Sequence, residues 1–379
     1  MEKKSIFNEL TGIRAIAAYM VFFHHFLKNL VEIESVFVRN MINELHIGVT
    51  MFFVLSGFLI AYRYYDNVKL TDNKWIVKYI QNRVARVYPM YFLVTCFTFG
   101  FIFYNSQNFI HDFFIFIANI TFVRGFFSDF LFSGVGQGWS LTVEECFYFT
   151  APIIFLLSKR MKLFIPFLGI FLVGVILWLI FRNINFYNFM SSFRFWILYT
   201  YFGRVFEFFI GISLALAYKN RTTFVKLNLY GLKTSIGALS VILAVVALAL
   251  LKGELQFGLL TYWGMAINNI LLPLGVALLY LGLITENTFL KKILATKLFV
   301  ILGKSSYTFY LIHIGTISYF LFQYITSNIW LIFIFINILS VGLFFIVEEP
   351  LNNKIRKMNW YDFLSSKKKL FLKNKISTN

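Results

Sequence analysis

Acidic side chains are scarce in this chain: 17 Asp and Glu stand among 379 residues that include 50 Phe. With 59% hydrophobic and 14% charged residues, against about 25% charged in ordinary soluble domains, most of its surface could not face water. A soluble enzyme is excluded. Cysteine is nearly absent too. Cys96 and Cys146, the only two, fall within apolar stretches, which leaves neither a disulfide framework nor a Cys/His metal site of repeated spacing, and no metal is expected. The N-terminal Met-Glu-Lys-Lys leads into an apolar segment interrupted by Arg14, His24 and His25. It lacks the clean hydrophobic region and small-residue cleavage site of a signal peptide, so it reads as a retained first span. There is no internal repeat, no long linker and no second soluble domain.

What the chain has is apolar length. Runs of about 20 residues, each enough to cross a bilayer, place ten helices near 11–30, 47–65, 88–106, 139–158, 163–181, 199–218, 234–251, 262–284, 298–324 and 329–347. The expected fold is an all-α polytopic membrane protein of about ten transmembrane helices, with one membrane domain over 1–347 and a basic tail over 348–379. The segment 107–138 holds an apolar run, Phe113–Val123, too short for a span, and is expected to be an interfacial or re-entrant piece capping the outer face.

A net charge of +18 would suggest nucleic acid in a soluble protein. In a membrane protein, basic residues collect in cytoplasmic loops and help set orientation. Lys69, Lys74, Lys78, Arg83 and Arg86, the group Lys159, Arg160 and Lys162, the residues from Lys219 to Lys233, and the tail from Lys354 onward all fall on the side of the termini. Few fall opposite. Both termini are therefore expected in the cytoplasm, with no nucleic-acid partner. The lysines from Lys367 to Lys375 are expected to lie on the anionic leaflet as an anchor.

Ionisable side chains inside a span are costly and usually face a cavity or a partner. Arg204 and Glu207, three apart on one helix, can neutralise each other. Arg14 and His25 are eleven residues apart, about 16 Å along a helix with an angular offset near 20°, so they share a face. Arg14 would sit near the cytoplasmic entrance and His25 deep, with His24 pointing elsewhere. An Arg at a mouth suits a phosphate, and a deep imidazole suits proton transfer. The alternative is an Arg snorkelling to headgroups and a His hydrogen-bonded within the bundle. In the fourth span Ser140, Glu144 and Tyr148 share a face at four-residue spacing, with Glu145 turned by one residue. Adjacent carboxylates near the end of an apolar helix are hard to explain by packing, although one could cap the helix. Ser306, Tyr310 and His313 line a stripe of the ninth span that is either cavity-facing or interhelical. Arg83 and Arg86, on one face of the segment Arg83-Val-Ala-Arg86, could hold a polyphosphate or bind lipid phosphate.

Taken together these segments resemble the membrane acyltransferase-3 family, whose members acylate sugars and other hydroxyl compounds of bacterial envelopes. The resemblance covers nearly the whole chain. It rests on Leu10-Thr-Gly-Ile-Arg14 with His25, Phe52-Phe-Val-Leu-Ser56-Gly57, Arg83-Val-Ala-Arg86 with Tyr88-Pro89, Trp139-Ser140-Leu141 through Glu144-Glu145, Gly303 through Tyr310 to His313, and Val347-Glu-Glu349-Pro350. Thr142 and Cys146 stand where Ser and Gln are common in that family. The chain also stops after the membrane part, without the esterase-like domain some relatives carry, which argues for a lipid-linked or small acceptor.

The resemblance implies an O-acyltransferase, acetyl being the expected group, that draws on cytoplasmic acyl-CoA and acts on a sugar hydroxyl at the outer side of the bacterial cytoplasmic (inner) membrane. The acceptor would be a surface polysaccharide or a lipid-linked precursor such as the O-antigen of lipopolysaccharide. His25, Glu144 and Glu145 are the expected catalytic residues. Arg14, Arg83 and Arg86 would bind acyl-CoA, and Ser140, Tyr310 and His313 would bind substrate. No cofactor beyond the acyl-CoA donor is expected; membrane lipids and the glycan are the expected partners. Two other classes fit the composition: a lipid-linked oligosaccharide flippase or polysaccharide polymerase, and a non-enzymatic acyl-CoA sensor.

Overall fold

The computed structural model describes residues 7–363 apart from 31, 185 and 228, with the backbone alone for 28–30. The expected membrane-surface tail from Lys367 to Lys375 and the N-terminal lysines lie outside the described residues. The described chain is helical throughout, with short 3-10 turns and no strand. Nine of its helices are long and apolar enough to cross a membrane, and a bent pair supplies a tenth crossing. The protein is an all-α polytopic membrane protein.

The spanning helices are α1 (Asn8–Leu30), α2 (Gly48–Tyr64), α3 (Asn73–Tyr104), α4 (Trp139–Ser158), α5 (Phe164–Phe181), α6 (Tyr201–Lys219), α7 (Leu232–Leu251), α8 (Leu272–Thr285), α9 (Lys297–Ile312) and α10 (Ile329–Leu343). A helix Thr316–Tyr324 continues α9 after a bend of 84°. The ninth crossing is thus broken where the sequence suggested one straight helix. The break falls at His313-Ile314-Gly315, where Gly315 has φ +97°, a region open to glycine and strained for other residues.

α3 begins well before the expected Tyr88 and runs 32 residues with Pro89 inside it. Asp72 caps it by accepting from the amides of Lys74 and Trp75 at 2.9 and 3.3 Å. Its polar first half survives as helix because it is packed against protein. A C-terminal helix, Glu349–Lys357, lies against it, and the Gln81 side chain donates to the carbonyls of Ile355 at 2.5 Å and Met358 at 2.7 Å.

Lipid is as apolar as leucine, so spanning helices associate through close fit and hydrogen bonds and less through hydrophobic burial. α2 packs most extensively on α6, α7 on α8, and α1 on α9. At the α2–α6 crossing, a Cβ on Gly57 would collide with the Phe208 carbonyl oxygen, and one on Gly211 with that of Val54. Only glycine lets these backbones meet. Inside the same crossing region the buried Arg204 gives Glu207 two bonds, 2.8 Å from Nε and 2.6 Å from Nη2, and a third of 2.9 Å to Thr50. This is the neutralised structural pair expected from the sequence.

The segment 107–138 forms a 12-residue helix, Phe109–Ile120, and a series of 3-10 turns packed on α3 and α4. The fully buried Arg124 ties it together, reaching Asn119 Oδ1 at 2.8 Å and the carbonyls of Ser133 and Val135. Burial pulls the Arg124 guanidinium below its ordinary value, but those acceptors hold the charged form in place.

Candidate functional site: a cationic cavity and a histidine cluster

A cavity of about 1330 Å³ runs between α1, α2, α3, α4, α6 and α9. Each wall follows from a local sequence pattern. On α4 the four-residue spacing sends Ser140, Glu144 and Tyr148 into the cavity on one face. Glu144 accepts hydrogen bonds from the Tyr148 hydroxyl and from the Ser56 hydroxyl of α2. A carboxylate held by two O–H donors is fixed in direction while its second oxygen stays available. Glu145, one residue on, is buried and lies outside the lining.

Cations gather around the same cavity. Arg14, Arg63, Arg83, Arg86, Lys219, Arg221, Lys226 and Arg356 line the cavity, against the acids Asp66 and Glu144. Arg83 is buried over the faces of Tyr64 and Tyr148, 5.5 and 5.4 Å from the ring centres, and its Nη2 lies 3.4 Å from the Tyr64 hydroxyl. Arg86 differs from it. It pairs at 2.5 Å with the buried Glu348, which also accepts from Thr308 at 2.6 Å. Both guanidiniums face the cavity on aromatic support, Arg86 over Tyr307 at 5.6 Å, and Arg86 is also a strut to the C-terminal region.

Tyr310 lines the cavity. Its hydroxyl lies 2.9 Å from Ser140 Oγ, and its ring centre is 5.9 Å from Phe52 and 5.5 Å from His313. His25 and His313 lie outside the cavity lining, with ring centres 5.4 Å apart. Arg14 lines the cavity and His25 does not, and Tyr310, which lines it too, stands 5.5 Å from the His313 ring. On the other side of His25 stands His24, 4.7 Å away. The His24 Nδ1 contacts the Asn43 carbonyl at 2.6 Å, and the Asn43 amide donates to the Gln256 carbonyl at 2.7 Å. His24 thus belongs to the frame that fixes the end of α1.

Several residues here carried little sequence signal as site residues. Ser56 stood within a motif without a role, Arg63 bordered a span, and Lys219, Arg221, Lys226 and Arg356 counted only toward loop charge. Only packing shows that they converge.

An acyltransferase-domain family model matches residues 7–349, which takes in every spanning helix that lines the cavity. The chain belongs to this acyltransferase family. Among its relatives are proteins of Staphylococcus aureus strains COL and Mu50 named "putative O-acetyltransferase", each 26% identical over 93% of this chain. The chain spans 58% of their length. A protein of Acidianus two-tailed virus named "putative acetyltransferase" is also 26% identical, over 82% of this chain and 84% of its own. No solved structure matches the chain. In this chain, the motifs first seen as separate sequence fragments surround one cavity and one histidine cluster.

Proposed function

We propose that this acyltransferase takes an acyl group, acetyl first among the candidates, from cytoplasmic acyl-CoA and places it on a sugar hydroxyl of a surface polysaccharide or its lipid-linked precursor, such as an O-antigen unit, at the outer side of the bacterial inner membrane. The observation that carries this reading is one cavity lined by eight cationic side chains together with Ser140, Glu144 and Tyr310. A polyanion with a long arm matches that lining. Arg14 and Arg83 with Arg86 would hold the CoA phosphates, bidentate where geometry allows. The pantetheine arm would run inward past Glu144, and a shift of Tyr310 would bring the thioester to His25.

His25 either receives the acyl group or activates the hydroxyl directly. Glu144 would orient the incoming groups from one side, with Glu145 the second carboxyl, buried behind it. Ser140, Tyr310 and His313 form the acceptor wall. A thioester is already activated, so the scheme uses no metal. The test is the O-acyl content of surface glycans, by NMR and mass before and after mild alkali, in cells with the intact chain, with His25→Ala and with none. Alkali-labile acetyl that depends on His25 is expected. Equal acylation in all three strains, with expression confirmed, would refute the assignment.

A further inference from the structure

Where α9 breaks, its last carbonyls lose their helical partners. The protein uses them to aim two side chains. The Tyr310 carbonyl lies 2.8 Å from His313 Nδ1, and the Leu311 carbonyl receives the Gln137 side-chain amide. A carbonyl only accepts, so Nδ1 carries the hydrogen and Nε2 of the neutral ring is a bare acceptor. The same logic fixes the Gln137 amide with its nitrogen toward Leu311 and its oxygen free. His313 is 0% and Gln137 3% exposed, and neither His313 Nε2 nor Gln137 Oε1 has a hydrogen-bond partner among the described residues.

Buried acceptors left bare are costly and uncommon. What both lack is a donor. Among the described residues no group of three or more His, Cys, Asp or Glu could hold a metal ion, whereas a molecule with two hydroxyls supplies one O–H to each. The donor cavity does not include these atoms.

We propose that the helix break after α9 is the acceptor's binding site, with His313 Nε2 as the base that takes the hydroxyl proton and Gln137 Oε1 as receiver of a second hydroxyl of the same molecule. This rests on the acyl-transfer reading above. A ring nitrogen of His25 attacks the thioester carbonyl, the C–S bond breaks, and the proton shed by His25 goes to the departing thiolate. The acceptor O–H then gives its proton to His313 Nε2 as its oxygen attacks the acyl carbon. The C–N bond to His25 breaks, and the proton passes from His313 to the freed His25 nitrogen, restoring both neutral rings.

The full chain, reconstituted in lipid with acetyl-CoA, separates the roles. Hydroxylamine attacks acyl groups as a neutral amine and needs no base, while a sugar hydroxyl does. His313→Asn keeps a donor for the Tyr310 carbonyl and removes the basic nitrogen. In cells it should lower surface-glycan O-acetylation at least about 100-fold, the contribution typical of a general base, and in the reconstituted protein it should lower acetylhydroxamate formation far less. His25→Ala should abolish both. Retention of glycan acetylation by both His313→Asn and His313→Gln would overturn the proposal, as would equal loss of the two reactions. If the unmodified chain itself forms no acetylhydroxamate and no surface acetyl, the acyl-CoA reading fails first, whatever the His313 variants do.

Discussion

Arg83 and Arg86 look interchangeable in sequence and differ in what they touch. Arg83 rests on Tyr64 and Tyr148 and pairs with no carboxylate among the described residues, whereas Arg86 holds Glu348. Arg83→Ala is therefore expected to raise KM for acetyl-CoA about tenfold with kcat little changed, the loss of one charged contact, as steady-state kinetics would show. Arg86→Met leaves Glu348 buried beside an apolar chain, so it should destabilise the protein by about 3 kcal/mol. A second change, Glu348→Gln, should recover much of the lost thermal stability, because an amide is cheaper to bury than a carboxylate. An Arg86→Met protein with unchanged melting would contradict the strut role. Four-residue periodicity made Ser140, Glu144 and Tyr148 legible as one face. It could not show that Ser56 would meet Glu144, because that contact joins residues 88 positions apart.

At the scale of helices, glycine contacts and caps decide the packing. Gly211→Leu should drive α6 from α2, since a Cβ there already meets the Val54 carbonyl. Loss of folded protein in a detergent melt is expected, at a cost of a few kcal/mol. Glu286 reaches back across the fold to cap α7, accepting from the amides of Lys233 at 3.1 Å and Thr234 at 2.9 Å and from the Thr234 hydroxyl at 2.8 Å. Burial alone would raise its carboxyl, but these donors outweigh burial and hold it below the ordinary carboxylate range. A depressed value in the folded state means that its stabilisation is complete above the ordinary carboxylate range and is lost as pH falls through the folded value. Glu286→Gln should thus cost about 1 kcal/mol near pH 7 and progressively less in acid, a difference that paired melts at pH 7 and pH 4 would reveal. The apolar runs made nearly all spans legible. The start of α3 was not, because Lys74, Lys78 and Arg83 read as loop when the Glu349–Lys357 helix that covers that half is out of sight in sequence.

Across the whole molecule, cations from α1, α2, α3, the segments after α6 and the C-terminal helix meet in one cavity. On the proposed reading, their pull on a polyanionic donor would be partly screened by salt, with a Debye length of about 10 Å at 0.1 M and about 3 Å at 1 M. KM for acetyl-CoA is expected to rise several-fold between low salt and about 0.5 M NaCl with kcat steady; an unchanged KM would deny the cations a role in binding. Composition and apolar periodicity alone determined that this chain is an all-α membrane protein, and helical spacing determined which polar residues share a face, because both depend on local geometry and on transfer between water and lipid. Only the tertiary structure decided that Arg14 lines the cavity and His25 does not, that Arg86 is bound to Glu348, and that the break at His313 leaves two buried acceptors with no donor among the described residues. Those facts depend on contacts between residues distant in the chain, and no periodicity within one helix encodes them.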